Sequence, residues 1–238
     1  MRKLIVGLLV WICSGEVNAQ MSRFGNEWIN HSQPYFRIPI AERAVYRLTT
    51  SDLAKAGIPV TSVDPTTLQL FRRGIEQAIL VTGESDKKLD VADYLEFVGD
   101  SNDGLQDTLL YRPMNAQPHP YYSMYSDTAA YFLTWRSDGK PGKRVVTAQE
   151  TRPAGLLPES YHIAEQLLVL KDEMSTNPST GPVPFVTQYE VYFEAGEGWT
   201  GPMQQKNKPH TQLFNLPGWV NSAAEKPELE VLLNGRDP

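Results

Sequence analysis

Oxygen-bearing side chains crowd one part of the chain. Asp86, Asp90, Asp93 and Glu96 are followed by Asp100, Asn102, Asp103 and Asp107. Oxygen ligands gathered on a turn are the chemistry of calcium, which takes roughly six to eight of them. Within the stretch 99–107, Asp100, Asn102, Asp103 and Asp107 are weak calcium candidates. The order is not that of a D-x-D-x-D-G loop, and no glutamate closes it. Asp and Asn also favour tight turns by bonding their own backbone, so a run of hairpin turns is the competing and commoner reading. No other cofactor is expected.

The remaining reactive types are sparse. His31, His119, His162 and His210 show no metal-ligand spacing. His119 sits in a proline-rich loop beside Tyr121 and Tyr122, and the ordinary reading of all four is surface histidine. There is no G-x-S-x-G. Ser123, Ser126 and Asp127 are neighbours in sequence, which is no evidence for a triad, and nothing singles out a pair of carboxylates for glycoside hydrolysis. We assign no catalytic and no cofactor-binding residue. Aromatics are plentiful: Tyr121, Tyr122, Tyr125, Tyr131, Phe132 and Trp135, then Tyr189, Tyr192, Phe193 and Trp199. Exposed, they would suit carbohydrate or peptide binding; buried packing is the commoner explanation. Gly196-Glu197-Gly198-Trp199 reads as a turn whose glycines let the ring fold back over a sheet.

The first 19 residues read as a secretory leader. Arg2 and Lys3 precede an apolar run, Leu4–Ile12, that is too short to span a bilayer. Val17-Asn18-Ala19 then fits a peptidase cut between Ala19 and Gln20. Cys13 lies inside this leader and is preceded by Ile12, which does not suit lipidation. It is the single cysteine, so the mature chain would have no disulfide and no thiol nucleophile. Losing Arg2, Lys3 and Glu16 takes the net charge from −6 to −7. That sign argues against nucleic acid as a partner, and no transmembrane segment is expected in the mature chain.

The elements that must position these residues read as strands. Short alternating runs rich in Tyr, Phe, Val, Ile and Thr suit half-buried pleats. The candidates are Tyr35–Ile40, Val45–Thr49, Leu68–Phe71, Ala78–Thr82, Tyr94–Val98, Thr108–Tyr111, Ala130–Trp135 and Arg144–Ala148. Later ones are Thr187–Glu194, Thr211–Leu216 and Glu228–Asn234. One short helix is expected, capped by Thr50 or Ser51, with Leu53 and Ala56 inward and Gly57 at its end. Tyr161–Met174 fits either a helix or an extended segment. Ala116–Pro120 and Ser175–Pro184 read as linkers, and Trp135–Lys143 as a turn-rich loop. The fold class expected is all-β. A sandwich or jelly-roll-like domain over residues 20–155 would be followed by a connecting segment and an incomplete second β region over 156–238.

Several runs together resemble a known family. They are GNEWI (Gly25–Ile29), VYRLT with LAKAGIPV (Val45–Val60) and VDPTTLQLFRRGIEQAILV (Val63–Val81). The others are DVADYLEFVGDSNDGLQDTLLY (Asp90–Tyr111), YYSMYSDTAAYFLTW (Tyr121–Trp135) and GEGWTG (Gly196–Gly201). They look like the N-terminal region of large secreted gingipain-like cysteine peptidases of Bacteroidota, which are tied to the type IX secretion system. The type IX sortase is a close relative of this architecture, but NDG-x-x-D-x-x-LY and DTA-x-YFLTW look more like the general group. Phe214–Asn234 resembles the start of that family's second β region, whereas Tyr161–Met174 and the proline-rich stretch after it match loosely. The resemblance implies export by the Sec route to the periplasm, the outer-membrane surface or outside. It also implies a downstream peptidase domain or type IX secretion components as partners. The family's catalytic His and Cys belong to a caspase-like domain downstream of such a region, so no residue role carries over. This implies an accessory or prosegment-like, non-enzymatic function. The alternative is a stand-alone carbohydrate- or surface-binding β module. The ending soon after the strand-like run near 234 leads us to expect a fragment or a truncated gene product.

Overall fold

The computed structural model describes residues 25–117, 119–149, 155, 157, 159–175, 198–223 and 225–233. The Ala19–Gln20 cleavage site and the candidate strand Thr187–Glu194 lie outside the described residues.

The fold is all-β, with two antiparallel sheets enclosing one core. The first contains β1 (Phe36–Ile40), β7 (Ala129–Trp135), β3 (Leu68–Arg72) and β4 (Ile75–Gln77), in that spatial order. The second contains β2 (Ala44–Thr49), β6 (Tyr94–Gly99) and β5 (Leu80–Val81). Period-two side-chain alternation dictates the layers. Ala129, Tyr131 and Leu133 of β7 are buried beside Leu68 and Leu70 of β3 and meet Leu95 and Phe97 of β6. The Phe97 and Tyr131 rings, 5.5 Å apart, join the sheets across the core.

The opposite face of the first sheet is also covered. Phe71 and Phe132, paired in register, present rings to Trp28, whose centroid lies 5.0 and 5.8 Å from theirs. Tyr35 meets Trp28 edge-on at 5.4 Å. The Gln33 amide donates to the Trp135 carbonyl, so the segment before β1 lies as a strap over the sheet. The β3–β4 hairpin turns on Arg73 and Gly74, at φ 50° and 76°, the two positive values that a tight two-residue turn requires. This hairpin makes β4 a strand that the sequence reading missed.

The helix, α1 (Thr50–Lys55), begins one residue earlier than expected. The Thr49 hydroxyl accepts from Asp52 N–H, and the Asp52 carboxylate accepts from Thr49 N–H, a reciprocal capping box. Thr50 instead turns inward and donates its hydroxyl to the Asp90 carbonyl at 2.7 Å. Leu53 is buried as expected, but Ala56 is exposed and Ile58 takes the inward place.

Other expectations fail for identifiable reasons. Thr108–Tyr111 is not a strand; residues Leu105–Leu110 form a 3-10 helix, started by the Asp107 N–H bond to the Gly104 carbonyl. Of that run only Tyr111 is buried, so there is one anchor and no alternating face. Arg144–Ala148 contributes a single bridge, Arg144 with Ile79. Thr211–Leu216 and the described part of Glu228–Asn234 carry no strand. In the later part of the chain, β8 (Glu173–Ser175) and β9 (Gly198–Thr200) pair antiparallel. Tyr161–Asp172 is irregular.

No helix among the described residues is long and apolar enough to cross a membrane.

Candidate binding site

The connection from β6 to β7 is long, and its own side chains bind it down. Tyr111 is 1% exposed. Its hydroxyl lies 3.0 Å from that of Tyr125 and 3.6 Å from the Met124 sulfur. The Ser123 hydroxyl oxygen accepts from the N–H groups of Tyr125 and Ser126. Asn102 N–H donates to the Asp127 carbonyl and Ser123 N–H to the Asn102 carbonyl, so the two ends of the loop are stitched together. Tyr131 reaches it from β7, its hydroxyl accepting from Asp100 N–H at 2.9 Å.

On this platform sits a group of aromatic rings. His119 stacks on Tyr122 with centroids 4.2 Å apart and lies 6.0 Å from Tyr121. His119 Nδ1 accepts from Tyr121 N–H, which leaves Nε2 as the protonated nitrogen, buried and without a hydrogen-bond partner among the described residues. Burial pushes the His119 imidazole below its ordinary pKa, so the ring is neutral at pH 7. Burial, then the nearby Tyr111, pushes the Tyr122 phenol up. Its hydroxyl donates to the Trp199 carbonyl at 3.1 Å. Trp199 N–H in turn donates to the Met124 carbonyl. The β9 strand is thereby tied to the loop, and Tyr121 and Trp199 remain 44% and 43% exposed.

Gly198 makes this docking geometrically feasible. It is buried at φ 117°, and a Cβ there would meet the Met124 carbonyl oxygen at 2.5 Å. Gly198→Ala should therefore release β9. Hydrogen exchange at the Trp199 amide should accelerate, while the melting of the two-sheet core changes little; unchanged Trp199 protection would contradict the docking. Sequence reasoning singled out His119, Tyr121, Tyr122 and Trp199, but not the backbone bonds that tie Trp199 to Met124 and Tyr122. Tyr189, Tyr192 and Phe193 lie outside the described residues.

The calcium candidates are placed differently from a calcium loop. Asp100 pairs with Arg43 at 3.3 Å and Arg72 at 3.4 Å. Asp103 pairs with Arg73 and lies 3.7 Å from Arg72. The Asn102 side-chain oxygen accepts from Gly104 N–H and that of Asp103 from Leu105 N–H, turn bonds of the ordinary kind. Asp107 stands in the 3-10 helix with one carboxylate oxygen buried and without a hydrogen-bond partner among the described residues. Guanidinium groups thus neutralise Asp100 and Asp103. No group of three or more His, Cys, Asp or Glu among the described residues could hold a metal ion. The missed signal was Arg72-Arg73 at a hairpin turn, which supplies the counter-charges.

Asp103 reports on this network. Burial alone would raise its carboxyl pKa. The Arg73 hydrogen bond, the Leu105 N–H and the charges of Arg73 and Arg72 outweigh that and hold it below the ordinary range. A depressed folded-state pKa contributes stability that is present above the unfolded value, about 3.9, and is lost as pH falls through the folded one. Carboxyl-carbon NMR should show Asp103 titrating below its usual value, with Arg73→Ala moving it back up. An unmoved midpoint would contradict the pairing.

No family model matches this chain, and no curated protein or solved structure matches it.

Proposed function

We propose that this chain is a non-catalytic N-terminal region, prosegment-like or accessory, of a secreted gingipain-like cysteine peptidase. Its task is to shield, fold or position a downstream peptidase domain. One observation carries the reading: the runs that resemble that family coincide with the parts that hold this fold together. GNEWI supplies Trp28 over the first sheet. VYRLT is β2 with the helix cap, and VDPTTLQLFRRG is β3 with its turn. DYLEFVGDSNDG is β6 with the ion-paired loop, DTAAYFLTW leads into β7, and GEGWTG contains β9. The residues that carry the resemblance thus build one unit.

The proposal includes Sec export with cleavage before Gln20, and a place in the periplasm, at the outer-membrane surface or outside. The partner is a downstream peptidase domain or a type IX secretion component. Because Cys13 falls in the proposed leader, the mature chain has no thiol nucleophile. The purified chain, offered panels of peptides, sortase-type signals and oligosaccharides, should hydrolyse none. Peptidase or sortase turnover by this chain alone would sink the reading.

A second reading, a stand-alone carbohydrate- or surface-binding module, is favoured by one feature. Tyr121 and Trp199 are both exposed on segments that the Tyr122–Trp199 bond ties together. Planar rings of this kind offer faces to sugar C–H groups. Glycan or cell-surface binding that is lost in Tyr121→Ala and Trp199→Ala would establish it; binding indifferent to both would remove it.

A further inference from the structure

We infer that Asp138 is a backbone-modification site: with Gly139 it forms a succinimide and then isoaspartate, and the Arg136 guanidinium gates that reaction. The dipeptide stands in the exposed loop that follows β7. Gly139 lies at φ 71°, and the space where a side chain would begin is open to 4 Å. No competing hydrogen bond among the described residues holds its nitrogen, the nucleophile.

The chemistry balances without a co-reactant other than water. Gly139 N attacks Asp138 Cγ, a C–N bond forms, and one carboxyl oxygen leaves as water together with the amide proton and the carboxyl proton. Water then adds to the five-membered imide. Opening at the main-chain carbonyl carries the chain through the side-chain carboxyl and gives isoaspartate. The mass is unchanged overall, and nothing is oxidised or reduced.

The leaving group is water only when the carboxyl is protonated, and this is where Arg136 acts. Its Nε and Nη2 donate to the two Asp138 oxygens at 2.8 and 2.6 Å, a bidentate fork. Lys140 N–H adds a third bond at 3.2 Å. The Arg136 hydrogen bonds lead; with the Lys140 N–H and the charges of both residues they outweigh desolvation and hold the Asp138 carboxyl far below its ordinary range. The fork keeps the group ionised and pins both oxygens.

The same dipeptide occurs at Asp103–Gly104, which serves as an internal control. That aspartate is also paired with arginine. There, however, Gly104 is buried and its N–H donates to the Asn102 side chain at 3.1 Å. The free N–H distinguishes the two sites, and the arginine fork sets the rate at the first. Isoaspartate at 138 lengthens the main chain by one carbon between Trp135 and Gly142, just before the segment that carries Arg144 into the core.

The test is ageing of the full chain at mildly acidic pH, with isoaspartate located by peptide mapping and by methyl transfer from an isoaspartate-specific carboxyl methyltransferase. Arg136→Gln should accumulate it at 138 faster than the parent chain, by about tenfold for each pKa unit the carboxyl recovers. Arg136→Lys, which keeps the charge but not the fork, should fall between, and Gly139→Ala should suppress it. In denaturant the Arg136 effect should vanish and Asp103 should react as well. Equal rates for folded parent and Arg136→Gln would overturn the gate. Isoaspartate forming as fast at 103 as at 138 in the folded chain would overturn the site.

Discussion

Arg144→Ala should melt about 10 °C below the parent chain, a loss of about 3 kcal/mol for a protein of this size. Arg144 is the most densely bonded side chain of the two-sheet core. Its Nη2 donates to the carbonyls of Pro65 and Thr66 at 2.8 Å each, Nη1 to that of Leu68 at 3.0 Å, and Nε to Glu84 at 2.7 Å. Around it, Gly142 N–H bonds the Thr66 carbonyl, Ile79 N–H the Lys143 carbonyl and Val145 N–H the Ile79 carbonyl. One guanidinium therefore ties three carbonyls at the start of β3 to the strand-like segment alongside Ile79. Truncation removes the guanidinium from those carbonyls and from the half-buried Glu84, although Thr66 keeps the Gly142 N–H and Pro65 the Leu68 N–H. Each lost charge-assisted bond costs about 1.5–3 kcal/mol, and water entering at the sheet end offsets part of the sum. Arg144→Lys should recover less than half, since an ammonium cannot span the set. The check is thermal and denaturant unfolding of all three chains; an Arg144→Ala chain within a degree of the parent would contradict the clamp.

Tyr131→Ala should cost about 4 kcal/mol, the range for emptying a large buried aromatic site. Tyr131→Phe should cost about 1 kcal/mol, the worth of the hydroxyl bond left unmade at the Asp100 N–H. The pair separates packing from positioning. The ring fills the space between the sheets beside Phe97 and lies 5.5 Å under the Arg72 guanidinium. The hydroxyl sets the start of the loop on which the aromatic group stands. In Tyr131→Phe the core should stay intact while amide exchange at Asp100 and Ser101 quickens. Equal stability losses in the two variants would show that the ring contributes little and the hydroxyl nearly everything, against this account.

What was legible in the sequence follows from the range over which each signal acts. Alternation is local, so Ala129–Trp135, Tyr94–Gly99 and Phe36–Ile40 could be read as strands within a residue or so. Ile75–Gln77 was too short for any alternation to register, although Arg73-Gly74 before it marks the turn. Thr108–Tyr111 carried strand-forming residue types, but its leucines are exposed, and burial is a tertiary fact. The acidic series was visible as composition. Its meaning was not, because Arg43, Arg72 and Arg73 reach Asp100 and Asp103 only once β2, β3 and β6 are assembled. Arg144 looked like one residue of a strand; its role lies in carbonyls nearly 80 positions earlier. The aromatic site was half legible: the rings were named, but the bond that joins Tyr122 to Trp199 spans 77 positions.

The most direct test of the proposed function is to read the genomic DNA beyond the codon for Pro238. The account predicts that the frame continues, directly or past a frameshift, into a caspase-like domain carrying a His and a Cys. A stop followed by an unrelated gene would contradict it and move the surface-binding module ahead.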